Sequence, residues 1–154
     1  CRLSLPRVDA EPLAPFDALL LLFGGLGYVP PDQLLQALDG LASALRPGGV
    51  FVCEPWLNPE QFIPDRPHLL VVDKPGLKIS RQVVTRVEGR KSILDYWILV
   101  ARPGHDVQVL RDLNVLHLYT TEELKVAFQA SGFTVDRVRP GFMSERDLWI
   151  CRRN

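Results

Sequence analysis

Cysteine, methionine and net charge are all scarce in this 154-residue sequence. Three cysteines, Cys1, Cys53 and Cys151, are too few and too scattered for a disulfide framework or a paired-cysteine zinc site. Cys53 and Cys151 fall inside apolar runs, where a free thiol packs as a small hydrophobe, and such usage fits the cytoplasm. His68, His105 and His117 have no metal-ligand spacing, so no metal is expected. The 18 Lys and Arg balance 18 Asp and Glu, which excludes the broad positive field of a nonspecific nucleic-acid binder. No apolar run nears the roughly 20 residues that cross a bilayer. The longest, Ala18–Phe23, is strand-sized, and no membrane partner is expected. Nothing at the first residues reads as a secretory leader. The only methionine is Met143 and the first residue is Cys1, so the sequence is expected to be part of a longer reading frame.

What is present reads as an α/β chain. Residues Cys1–Pro15 carry Pro6, Pro12 and Pro15 without a helical or strand period and read as a loop. From Asp17 the run Ala18–Phe23 is apolar on both faces, as a strand of a covered parallel sheet requires, and Gly24, Gly25 and Gly27 end it. Pro30-Pro31-Asp32 opens a helix whose stripe is Leu34, Leu35, Leu38, Leu41, Ala42 and Leu45, stopped by Arg46-Pro47-Gly48-Gly49. Val50–Cys53 is a second strand, ending at Glu54-Pro55-Trp56. Strand, helix and strand with short links imply a βαβ unit with a right-handed crossover.

After Trp56 the pattern changes. Residues 58–75 read mostly as a loop with a short strand at Leu69–Val72. Extended runs at Leu77–Val87, Ser92–Ala101 and Val107–Leu118, joined by turn residues, predict an antiparallel meander. Thr120 and Glu123 stand in capping-box positions ahead of a helix ending at Gly132. Phe133–Val138 and Asp147–Cys151 close the chain as strands. The division expected is a partial Rossmann-like core at 1–57, a β insertion at 58–118 and a return to the core at 119–154.

Phe16-Asp17-Ala18-Leu19-Leu20, Leu45-Arg46-Pro47-Gly48-Gly49-Val50 and Ala130-Ser131-Gly132-Phe133 resemble, in order and spacing, the C-terminal half of a class I S-adenosylmethionine-dependent methyltransferase. Phe23-Gly24-Gly25-Leu26-Gly27-Tyr28, Glu54-Pro55-Trp56 with Pro59-Glu60, Ile79-Ser80-Arg81 and Leu118-Tyr119 ahead of Ala127-Phe128 are similar to sugar-nucleotide N,N-dimethyltransferases. That resemblance implies a Rossmann-like sheet with a β insertion, S-adenosyl-L-methionine as cofactor, and a small-molecule amine, such as a nucleotide-linked amino sugar, as substrate. A homodimer through the insertion is a further expectation, and a noncatalytic methyltransferase-like module is the alternative reading. The family's glycine-rich first motif is not found in the sequence. Gly24-Gly25-Leu26-Gly27 follows the strand that aligns with the family's fourth, so the chain alone is expected to be inactive and marginally stable.

The candidate site residues lie at strand ends, where α/β sheets place their ligands. Phe23, Gly24, Gly25 and Leu26 are the expected cofactor-binding turn. Tyr28 stands where the family has a histidine, and Asn114 aligns with a second. A phenol with a reference pKa of about 10 is a poor base near neutrality, so hydrogen-bonded orientation is the role expected of Tyr28. Glu54 is open to proton acceptance or cation binding, and equally to a cap or a surface ion pair. Trp56, Arg81, Tyr96 and His117 are candidate substrate contacts, against packing or solvated roles. Arg81 and Arg86 are expected on opposite faces of their strand.

Overall fold

The computed structural model describes residues 15–154, so the loop expected across Cys1–Pro15 lies almost wholly outside the described residues. The chain divides into two compact units, 62–116 and the remainder. The observed boundaries fall at Gln61/Phe62 and Leu116/His117.

The unit built from residues 15–61 and 117–154 holds a four-stranded sheet of order β1-β2-β8-β7. Its strands are β1 (Phe16–Leu21), β2 (Leu45–Cys53), β7 (Phe133–Val138) and β8 (Leu148–Arg153), with helices α1 (Leu34–Ala44) and α2 (Thr121–Ala130). β1 and β2 run parallel, with Leu19 opposite Phe51, and α1 connects them as the alternation of apolar runs predicts. β8 lies antiparallel to both β2 and β7. Among the described residues β1 pairs on one side only, and Leu20 is 67% exposed on it.

The helix expected from Pro31 begins as a short 3-10 turn, Pro31–Gln33, before α1 proper. Leu45, expected on the helical stripe, is instead the first residue of β2. Pro47 disfavours helical backbone at Arg46, so the helix stops early and the chain is already extended at Leu45. The register shifts between Phe16 and Ala18, beside Gly48-Gly49. There a Cβ on Gly49 would lie 2.8 Å from the Arg46 carbonyl and 3.3 Å from that of Asp17, so only glycine allows the two backbones to meet. Arg46 also donates to Asp17 at 2.5 Å, joining the strands' starts through an exposed pair of small energetic weight.

The core of this unit is aromatic. Phe51 on β2 lies 6.1 Å from Phe128 and 6.0 Å from Phe133, and Phe128 lies 5.5 Å from Trp149. Leu26, Leu34, Leu38, Leu45 and Leu124 fill the remainder. α2 carries the capping box read from the sequence: Glu123 N–H donates to Thr120 Oγ1 at 3.2 Å, and Thr120 N–H donates to Glu123 Oε2 at 2.8 Å. Thr120→Ala is expected to remove about 1 kcal/mol of stability, read as a lowered urea midpoint with an unchanged slope.

Residues 62–116 form the second sheet, order β3-β4-β5-β6: β3 (Pro67–Lys74), β4 (Leu77–Glu88), β5 (Lys91–Ala101) and β6 (Gln108–His117). The short strand expected at Leu69–Val72 is the whole of β3, because pairing with β4 carries it from Pro67 to Lys74. Proline at the first strand position costs little of the ladder. Val83, Thr85, Leu94 and Val100 make a buried face, and Leu69, Val84, Trp97, Leu99 and Val109 are exposed. Those exposed residues line an open groove of about 660 Å³ together with Arg86 and Asp95.

No described helix is long and apolar enough to cross a membrane. Among the described residues no cluster of His, Cys, Asp and Glu has the makings of a metal site.

Candidate active site

β1 and β2 are parallel, so their carboxyl ends open on the same edge of the sheet, and the chain beyond them forms a tightly bonded turn. Glu54 N–H donates to the Leu21 carbonyl at 3.0 Å and Gly24 N–H to the Glu54 carbonyl at 2.9 Å. The Glu54 side chain adds a third bond, accepting the Phe23 N–H at Oε2, 3.2 Å. Phe23 is held at φ +57°, a left-handed conformation that costs a non-glycine residue about 1–3 kcal/mol and tends to persist at functional positions. Its ring is 68% exposed. Gly24 is also left-handed, at φ +83°, and a Cβ there would fall 2.9 Å from Trp56 Cε3. Backbone and indole are thus in direct contact at this edge.

Glu54 has no exposed surface, which removes the surface ion pair from its possible roles. Its Oε1 accepts the Met143 N–H at 2.8 Å, and Arg146 Nη1 lies 3.6 Å from Oε2. The Arg146 guanidinium stacks 4.6 Å from the Trp56 ring centroid. Asp147, also buried, sits 3.6 Å from both Arg137 and Arg139. The segment between β7 and β8 therefore folds its charged residues onto the carboxyl edge.

Several candidate residues meet here: Phe23, Gly24, Gly25, Glu54 and Trp56. Leu26 is wholly buried in the aromatic core, so it supports the turn from below. Gly25 packs against β1, where a Cβ would meet Leu21 Cδ1 at 2.6 Å. Tyr28 closes the 3-10 turn Gly25–Tyr28 and is partly exposed, and Tyr119 Oη donates to the next carbonyl, Val29, at 2.6 Å. His117 is half-buried, its ring 6.3 Å from Tyr119.

Arg81 and Tyr96 belong to the other sheet, where the guanidinium lies 4.8 Å from the ring centroid. The register sets Arg81 opposite Ile98 and Arg86 opposite Ile93, so the two arginines take opposite faces, as alternation requires. Asn114 bonds Asp112 at 3.0 Å. Arg111, not singled out from sequence, makes two 2.7 Å bonds to Asp95, which hold that carboxyl below the ordinary range, and stacks on Trp97.

The residues that sequence reasoning missed at the edge are Met143, Arg146 and Asp147. A partial signal existed: Glu54 ends an apolar strand and needs a partner, and residues 137–146 supply three arginines.

Next to this edge, burial pushes the Cys53 thiol well above its ordinary value, with smaller contributions from Cys151 and Glu54, and burial pushes Cys151 up to about 12. Folding keeps both thiols protonated. For Cys151 the stability that comes with the protonated thiol is whole below pH 9.0 and is lost as pH rises toward about 12, and that of Cys53 is lost in the same direction. Neither cysteine is expected to react with iodoacetamide at pH 8 in the folded protein, and both are expected to react in urea, as peptide mapping would show.

No protein-family model matches the chain. It is 32% identical over 136 residues to a dTDP-3-amino-3,4,6-trideoxy-alpha-D-glucopyranose N,N-dimethyltransferase from Streptomyces venezuelae, covering 88% of this chain and 57% of that protein. The crystal structure of Streptomyces venezuelae DesVI superposes with a TM-score of 0.85 at 30% identity, over 91% of this chain and 59% of that one. The chain is similar to sugar-nucleotide N,N-dimethyltransferases. An amino pentose methyltransferase from Micromonospora echinaspora, solved with S-adenosylmethionine bound, superposes with a TM-score of 0.81 at 28% identity, covering 91% of this chain and 59% of that one. The chain thus spans under two thirds of the dimethyltransferases and methyltransferases it matches. Its fold, over that share, is the Rossmann-like α/β fold of class I methyltransferases with an antiparallel β insertion.

Proposed function

We propose that the protein carrying this chain is an enzyme that transfers the methyl group of S-adenosylmethionine to the amine of a nucleotide-linked amino sugar. The observation that carries the reading is the turn after β1: an exposed aromatic in left-handed backbone, fixed at the carboxyl edge by the hydrogen bonds that Phe23 and Gly24 donate to Glu54. Its likeness in sequence and fold to amino-sugar methyltransferases supports the same conclusion.

The turn fits part of such a cofactor. Gly24 brings bare backbone against the Trp56 ring, and Phe23 offers a flat apolar face. Phe23, Gly24 and Gly25 would hold the cofactor, with Leu26 packed beneath them, and the cofactor when bound supplies an electrophilic methyl group on a sulfonium. The chain's own task is alignment, because an in-line displacement gains chiefly from holding nucleophile and methyl carbon in register. We assign Glu54 to positioning, since both of its oxygens already accept backbone N–H groups and none of its surface is open to an amine. Tyr28 orients the acceptor by hydrogen bonding while solvent takes the proton. Trp56 walls the acceptor, and His117, on the same unit, serves the nucleotide-sugar. The protein works in the cytoplasm.

Incubation with S-adenosylmethionine labelled in its methyl group and a TDP-linked amino sugar tests this. Label is expected in the sugar's amine, and none in the same sugar with that amine acetylated. A folded, cofactor-binding protein that labels neither would overturn the reading.

The exposed apolar face of the insertion favours a second element of the proposal, a homodimer through residues 58–118. Light scattering is expected to give twice the chain mass, falling to the monomer for Val109→Glu. A dimer that binds no S-adenosylmethionine would favour the noncatalytic module instead.

A further inference from the structure

The Glu54 carboxylate is a wholly buried group shared between two segments far apart in sequence. One oxygen accepts Phe23 N–H at 3.2 Å and the other accepts Met143 N–H at 2.8 Å. The two backbone bonds of the turn use main-chain atoms of Glu54 and arise from strand geometry alone. The bond to Phe23 differs, because it needs the side chain held at one rotation. Arg146 is placed to hold it: Nη1 is 3.6 Å from Oε2, and its guanidinium is stacked 4.6 Å from the Trp56 centroid. Trp56 in turn packs on Gly24, which follows Phe23. The contacts therefore close a ring: Phe23, Glu54, Arg146, Trp56, Gly24.

The segment that carries Arg146 is organised around the same carboxylate. Gly141 N–H donates to the Arg146 carbonyl at 2.7 Å, and Arg146 N–H donates to the Met143 carbonyl at 3.0 Å. A Cβ on Gly141 would lie 3.2 Å from Glu54 Oε1, so the segment packs directly onto that oxygen. Phe142 and Met143 nevertheless point outward and are exposed. An exposed segment anchored through one buried carboxylate transmits its position to whatever else that carboxylate holds.

We infer that Arg146 is a positioning residue for the turn at Phe23: it fixes the Glu54 carboxylate, which holds Phe23 in its left-handed conformation, so the β7–β8 segment sets the geometry of the edge. The consequence for cofactor affinity rests on the proposal that residues 23–25 hold the cofactor; the coupling itself does not.

Amide hydrogen exchange, followed by NMR on the chain, tests the coupling. In Arg146→Ala the Phe23 amide is expected to exchange at least tenfold faster, while that of Cys151 in β8 keeps its protection. Arg146→Lys is expected to restore most of the protection at Phe23. Unchanged exchange at Phe23 in a folded Arg146→Ala protein would overturn the inference. Should that variant unfold, Trp56→Leu removes the ring under the guanidinium and leaves every charge in place; a smaller acceleration at Phe23 is expected, and none would equally overturn the inference. Adding S-adenosylhomocysteine to the whole protein that carries this chain separates the two proposals. Shifts at residues 23–25 support the cofactor reading, and their absence removes that reading while the exchange coupling stands or falls on its own.

Discussion

Glu54→Ala is expected to cost about 3–5 kcal/mol, the range found when one partner of a buried charged pair is deleted. The change takes the acceptor from two backbone amides and the carboxylate from Arg146, in a place with no exposed surface. An amide stranded in such a place costs more than the bond had contributed, because water cannot replace the lost acceptor. Against a total of about 5–15 kcal/mol for a domain, a loss of this size removes a large share of the stability. Glu54→Gln has nearly the same volume and keeps one acceptor oxygen, so it should lose less. Thermal unfolding of the two variants checks the ordering. A Glu54→Ala protein as stable as the wild type would show that the carboxylate is not the anchor described.

Phe51→Ala is the second large effect, about 3–5 kcal/mol. Phe51 is wholly buried near the carboxyl end of β2, paired with Leu19 on one side and Cys151 on the other. Its ring touches Phe128 from α2 and Phe133 from β7, so truncation opens a cavity bounded by strands and a helix that cannot all collapse inward. Leu35→Ala on the exposed side of α1 is the control, expected to shift stability by no more than about 0.5 kcal/mol. Urea titration should show a large fall in midpoint for the first and almost none for the second, with equal slopes.

Local signals in the sequence were legible wherever one short segment settled the outcome. The apolar run after Asp17, the Leu34–Leu41 stripe and the Thr120–Glu123 box all lead to the elements observed. The turn at Phe23–Tyr28 is also legible at the end of β1, since glycines after an apolar run announce it, although β1 itself is mostly exposed among the described residues. What was not legible depended on pairing. β3 reaches from Pro67 to Lys74 only because β4 offers it eight partners. β2 starts at Leu45 because extended pairing and Pro47 override the helical period. The partners of Glu54 were hidden most completely: Met143 is 89 residues away, and nothing near Glu54 in sequence distinguishes Arg146 from its neighbours Arg137 and Arg139.

The strand order carries a consequence for how this sheet can be assembled. β8, the last of the described strands, lies between β2 and β7, and no other described strand joins those two. Until β8 inserts, β2 and β7 each present a bare hydrogen-bonding edge, and any extended segment at hand competes for them. Closing β2 against β8 also spans about a hundred residues, a slow event compared with forming α1 or the hairpins of the insertion. Dilute refolding should therefore outperform concentrated refolding, and a synthetic Leu148–Arg153 peptide supplied in excess should act as a decoy that occupies the gap.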